Sequence, residues 1–180
     1  MAESKTHKRN LIIAMDGSEH ADYALDWFCE HIHRDGDHVV LVYVPELNDM
    51  LHSSKWSSSV YVFDHEVMEA MLKEEQARIR ADLEVFAAKL KHHGLGGKVK
   101  SVMASKPGEG ILKAAEEEGA DMIVLGSRGQ GTLRRTFMGS VSDYIVHHSH
   151  VPVAVCKHPQ IIPHLHAGGE NKAKAPANAD

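Results

Sequence analysis

The chain has 180 residues, a length that favours one domain, and its 43% hydrophobic content allows a sizeable core. Its net charge of −5 with histidine neutral argues against a non-specific nucleic-acid binder, which needs a basic face. No apolar run approaches the ~20 residues of a membrane span, and the polar start MAESKTHKRN lacks the apolar stretch of a signal peptide, so neither a membrane nor a nucleic-acid role is expected.

In chain order, RNLIIAMDGS is an apolar run closed by Asp16-Gly17, the pattern of a buried strand and a turn. Ser18 is a good N-cap, and Ala21, Ala24, Leu25 and Phe28 follow at helical spacing. Cys29 lies in this helix, and Cys156 in an apolar run far along the chain. Both read as buried free thiols, which fits a reducing cytoplasm. DHVVLVYVPE is a second strand, closed by Pro45.

ELNDMLHSSKWSSSVYVFD is long and Ser-rich and reads as a mobile loop. From about His65 to His93 a helical stripe carries Val67, Met71, Ile79, Leu83, Phe86 and Leu90, stopped by Gly94. Within it, KEEQAR reads as a solvated face with charge pairs. KVKSVMAS is a weaker third strand. EGILKAAEEEG is a helix with Gly119 just past its end. DMIVLG is a fourth strand, SVSDYIVHHS a helix with Val141, Tyr144 and Ile145 facing inward, and VPVAVCK a fifth strand. HAGGENKAKAPANAD has almost no apolar content.

Near-continuous apolar strands separated by helices predict a parallel sheet covered on both faces. The expected architecture is α/β: a doubly wound, five-stranded single domain over residues 8–158, with flexible tails at 1–7 and 159–180.

Two strand ends carry unusual chemistry. The first places a carboxylate, Asp16, at the sheet rim. The fourth runs into GSRGQGTLRRTFMGSVSD, with glycines at 126, 129, 131 and 139. In open parallel sheets ligands sit beyond the carboxyl ends of the strands, where the winding reverses. Gly126 and Gly129 let a backbone approach a ligand closely. Gly139-Ser140 opens a helix whose free N–H groups and positive dipole end suit a phosphate. The hydroxyls of Ser140 and Ser142 can add hydrogen bonds, and Arg128, Arg134 or Arg135 positive charge. The pattern alone leaves a second reading open, in which the glycines only turn the chain, Ser140 only caps a helix and Asp16 only forms a turn. It is neither a Walker A loop nor a G-x-G-x-x-G loop.

GSRGQGTLRRTFMGS fits G-x2-G-x9-G-[ST], and with LIIAMDGSEHADYAL and the terminal VPVAVCK the chain resembles the universal stress protein family over about Lys8 to Lys157. The resemblance implies strand order 3-2-1-4-5, which makes strands one and four neighbours. It implies ATP, alone or with Mg²⁺, as the ligand. Asp16 would meet the ribose, and Ala14 and Val44 would line the adenine slot. Gly126, Arg128, Gly129, Gly139, Ser140, Val141 and Ser142 would surround ribose and phosphates. It also implies a homodimer through the last strand, Val151 to Cys156. Pairing there also protects an apolar edge.

The histidines, 15 in all, include His31, His33, His147, His148 and His150, but no metal-site spacing occurs. They read as solvated. No G-x-S-x-G nucleophile elbow is present. The leading expectation is a cytoplasmic ATP-binding sensor or regulatory module in the stress response, acting on an unnamed protein partner. The alternatives are a slow nucleotide hydrolase and a dimeric scaffold with a vestigial site.

Overall fold

The structure, a computed structural model, describes residues 8–45, 65–129 and 138–159. The Ser-rich stretch 46–64, the segment 130–137 with Arg134 and Arg135, and the terminal segments expected to be flexible (1–7 and all but residue 159 of 159–180) lie outside the described residues.

The elements follow the expected alternation: β1 (Asn10–Met15), α1 (Glu19–His31), β2 (His38–Tyr43), α2 (His65–His92), β3 (Gly97–Ser101), α3 (Pro107–Glu117), β4 (Met122–Gly126), α4 (Ser140–His148) and β5 (Val153–Cys156). The five strands form one parallel sheet in the order β3-β2-β1-β4-β5.

Each strand sends alternate residues to opposite faces, the period-two consequence of the pleat. Leu11, Ile13, Met15, Val39, Leu41 and Val124 join Ala21, Ala24, Leu25 and Phe28 of α1 and Phe86 and Leu90 of α2 on one face. Ile12, Val40, Val42, Val44, Ile123 and Leu125 join Ile111, Ala114 and Ala115 of α3 and Ile145 of α4 on the other. Each fully buried Leu, Ile, Val or Phe contributes about 1.5–3 kcal/mol relative to exposure, so the doubly covered central strands dominate the core.

Local signals set the helix ends. Ser18 N-caps α1, its Oγ accepting the Ala21 N–H at 3.2 Å. Gly94 and Gly119, just beyond α2 and α3, have φ of 64° and 57°, where a Cβ would be strained. Helix α3 begins at Pro107, two residues before the expected EGILKAAEEEG start. Proline suits a first helical turn, where its missing N–H costs nothing. On α4 the inward set is Ser142 and Ile145, with Val141 and Tyr144 only half-buried. At the amino ends of the strands Arg9 donates to both carboxylate oxygens of Asp37, at 2.9 and 2.6 Å. Both cysteines are free, and burial pushes each thiol up to about 11. Among the described residues no helix is long and apolar enough to cross a membrane.

The winding reverses between β1 and β4. From β1 the chain steps through α1 and α2 toward β3, and after α3 it returns to β4 on the other side. The connections that leave the carboxyl ends of β1 and β4 therefore run to opposite faces of the sheet, to α1 and to α4, and leave a space between them.

Candidate functional site

A crevice of about 220 Å³ opens at that point. Ala14 and Asp16 reach it from the end of β1, Val44 from the end of β2, Gly126, Arg128 and Gly129 from the end of β4. Gly139, Ser140, Val141 and Ser142 reach it from the start of α4. The residues singled out in the sequence thus stand around one space.

One part of the wall is apolar. Val44 is buried, Ala14 half-buried, and Ile111, Pro107 and Leu125 complete the surface. A flat apolar group fits this part by dispersion and exclusion of water.

The opposite part is built from backbone. Gly139 is the N-cap residue of α4, and no side chain caps the helix. Its first-turn N–H groups and positive dipole end therefore face the crevice without a side-chain acceptor, the chemistry that favours an anion. Ser127 fixes this end. Its carbonyl accepts the Gly139 N–H at 2.7 Å and the Ser142 Oγ–H at 3.0 Å, while its own N–H donates to the Cys156 carbonyl at 2.8 Å. The segment that leaves β4 is thereby pinned to the start of α4 and to β5. Ser127 occupies a variable place in the sequence pattern, and only its near-complete burial reveals the role.

The geometry changes the reason for two glycines. Gly126 lies beneath the first turn of α1, and a Cβ on it would stand 2.6 Å from the His20 carbonyl oxygen. Its missing side chain admits helix backbone as well as facing the crevice. A Cβ on Gly129 would run into Asp16 Oδ2, so Gly129 makes room for the carboxylate. Asp16 Oδ1 accepts the Ser18 N–H at 2.9 Å, which orients the carboxylate in a local turn. Asp16 is thus a turn former that also lines the crevice. Ser142 is buried, and its hydroxyl lies within reach of the carbonyls of Ser127 and Gly139. Its single proton is used on backbone, so it can offer a ligand only an acceptor.

Other lining residues were not singled out from the sequence. Met15, Ala21 and Tyr43 stand beside strand ends already named. Tyr43 donates to Asp82 Oδ2 of α2 at 2.9 Å, and burial with that bond pushes its hydroxyl up to about 12. Arg78, also from α2, lines the crevice and donates to Glu75 Oε1 at 2.5 Å. It belongs to KEEQAR, the face expected to be merely solvated. Periodicity cannot say which turn of a long helix overhangs a strand end.

Behind Gly126, His20 packs edge-on against His158, with ring centroids 5.7 Å apart, and Tyr23 does the same at 5.1 Å. His20 Nδ1 is buried without a hydrogen-bond partner. Burial, with the nearby His158 and Arg128, holds this imidazole below its ordinary value, against the smaller opposing effects of Asp16 and Glu19.

Comparison with known proteins gives a consistent assignment. The model of the universal stress protein family matches residues 8–157. Universal stress protein PHOS32 of Arabidopsis thaliana is 30% identical over 160 residues, covering 84% of this chain but 66% of that longer protein. Universal stress protein MJ0577 of Methanocaldococcus jannaschii is 27% identical over 162 residues, 83% of this chain and 94% of that protein. The MJ0577 structure superposes with a TM-score of 0.63 over 83% of this chain and 96% of that one. A universal stress protein family structure from Arabidopsis thaliana, with AMP bound, has a TM-score of 0.57 over 86% of this chain and 95% of its own. At 19% identity it shares the fold alone.

Proposed function

The chain belongs to the universal stress protein family, and we propose that it binds ATP in the crevice between β1 and β4 and serves as a nucleotide-dependent sensor or regulatory module of the stress response. One observation carries the reading. Segments far apart in sequence, around Asp16, Val44, Gly126 and Gly139, converge on one space that is apolar at one part and rich in helix N–H groups at another. A nucleotide has the same division, with a flat base, a ribose rich in hydroxyls and a polyanionic tail. That a family structure of the same fold has been seen with AMP supports the ligand class.

In this reading Ala14 and Val44 hold the base, Asp16 accepts from ribose hydroxyls, and Gly129, Gly139, Ser140 and Val141 cradle phosphates with Arg128 alongside. Asp16 is the one carboxylate among the described lining residues. Mg²⁺, which keeps near-octahedral oxygen ligation, would enter chiefly on the phosphates. The protein would work in the cytoplasm as a homodimer through Val151 to Cys156. There β5 forms the end of the sheet, with Val153, Ala154 and Val155 half-buried. Nucleotide state would then alter a contact with a protein partner.

Titration calorimetry of the purified full chain with ATP, with mass spectrometry of any nucleotide that co-purifies, tests the proposal. Saturable binding at one site per chain is expected. No heat with ATP and no co-purifying nucleotide would leave a dimeric scaffold with a vestigial crevice.

A further inference from the structure

Resting on the nucleotide reading above, we propose that Arg78 is a phosphate-contacting residue of the crevice, which exchanges Glu75 for an anionic phosphoryl group of the bound nucleotide.

The position follows from how α2 is held. Ile79 and Leu83 pack against the core, and Phe86 and Leu90 are buried in it, so this helix has a fixed rotation about its axis. Arg78 and Asp82 are four residues apart and share one face. Asp82 accepts the Tyr43 hydroxyl at 2.9 Å. Tyr43 is the last residue of β2 and the register partner of Met15, immediately before Asp16. The Arg78–Asp82 face therefore overhangs the carboxyl ends of β1 and β2, and Arg78 lines the crevice there.

Charge gives it a task. The ionised residues among the described lining are Asp16, Arg78 and Arg128. Arg128 comes from the end of β4 and Arg78 from α2, so a polyanion in the crevice meets positive charge from two separate elements. The Glu75 pair is suited to exchange. The Arg78 side chain is 45% exposed and that of Glu75 13%, so the guanidinium is the partner a ligand in the crevice can reach. With its guanidinium nearly half exposed, this pair within one helix is partly screened by water. A guanidinium on a phosphate makes two parallel charge-assisted bonds and is stronger. An entering phosphate also repels Glu75, which favours the switch.

Titration calorimetry with ATP and with adenosine, on the full chain and on the Arg78→Ala and Glu75→Gln variants, decides the matter. Arg78→Ala should weaken ATP roughly tenfold while leaving adenosine within about twofold, the pattern of a lost charge-assisted bond to phosphate. Glu75→Gln, which keeps the arginine and removes its competitor, should tighten ATP several-fold, and this holds as a test even if Arg78→Ala folds poorly. Unchanged ATP affinity in both variants overturns the proposal and leaves the nucleotide reading standing. Equal losses for ATP and adenosine in Arg78→Ala also overturn it, placing the arginine on the base. A wild type that binds neither ligand removes the nucleotide reading itself, and this proposal with it.

Discussion

Gly126 at the end of β4 lies directly beneath His20 in the first turn of α1: a Cβ on the glycine would stand 2.6 Å from the His20 carbonyl oxygen and 2.9 Å from the His20 Cβ. Gly139 is different. A Cβ there would meet Arg128 Cα at 3.4 Å and the Ser127 carbonyl oxygen at 3.5 Å, ordinary contact distances, and its φ is −77°. Two glycines of one motif therefore differ in how tightly they are packed.

The corresponding variants should separate. Gly126→Ala must push α1 off the sheet and should cost about 1–3 kcal/mol, the usual range for overpacking. Gly139→Ala should stay within about 0.5 kcal/mol of the wild type, and for a phosphate seated on the start of α4 the methyl group added beside Arg128 and Ser127 should weaken ATP. Thermal unfolding monitored by circular dichroism, alongside calorimetry, checks both. Equal destabilisation by the two would show that Gly139 is packed as tightly as Gly126.

Asp16 is held by the Ser18 N–H through Oδ1, and Gly129 leaves space beside Oδ2. A carboxylate so oriented can accept from ribose hydroxyls, and hydrogen bonds to charged groups contribute about 1.5–3 kcal/mol. Asp16→Ala should weaken ATP about tenfold or more. Asp16→Asn, which keeps the local turn bond, should fall between. An effect of less than about twofold in the alanine variant would confine Asp16 to its turn.

These two cases show what could and could not be read before the fold was known. The sheet was legible because β1, β2 and β4 are almost uninterrupted apolar runs, and because Ser18 and Gly119 mark helix ends by local chemistry. Strand order was not in the periodicity; it came with the family motif. The convergence of Ala14, Val44 and Gly139 follows from that order. The duty of Gly126 does not, because the body above it is the α1 backbone, which no local pattern reports. Ser127 and Arg78 were missed for the same reason. One acts through bonds to Gly139, Ser142 and Cys156, and the other through the path of a helix across strand ends.

Strand β5 ends the sheet, pairing with β4 through Val153 to Cys156. An apolar edge strand recruits another strand unless it is covered. For a two-fold dimer through this edge, Val153→Lys with Val155→Lys should give monomer or aggregate by light scattering, where the wild type gives dimer. A wild type that is monomeric at micromolar concentration would rule this interface out.

His20 predicts a pH dependence. Its folded pKa lies below the ordinary 6.5, chiefly from burial. As pH falls through about 6.5 the unfolded chain takes up a proton that the folded chain refuses. The unfolded state then binds more protons, so stability falls as pH drops until the lower folded pKa is reached. Urea unfolding between about pH 8 and pH 5 should show this loss, and His20→Gln should flatten it. Parallel curves for the two proteins would assign the acid sensitivity elsewhere.

The last expectation is that ATP turns over slowly or not at all. Fast phosphoryl transfer needs a positioned Mg²⁺, a residue that orients the attacking water and fixed positive charge on the γ-phosphate. The crevice offers helix N–H groups, which hold ground state and transition state alike, and uniform binding does not raise kcat. Asp16, the carboxylate among the described lining residues, is tied to the Ser18 turn and assigned to the ribose. The Ser142 proton is used on backbone, so this hydroxyl cannot protonate or orient a leaving oxygen. Arg128 and Arg78 add attraction for a polyanion without a base beside them. Turnover should therefore lie far below the ~1 s⁻¹ low end of typical enzymes, as suits a module read out by occupancy. Steady-state phosphate release measured on the wild type and on Gly139→Val tests this. Several turnovers per second that vanish in the variant would make the protein a nucleotide hydrolase, and would require a water-positioning group outside the described residues.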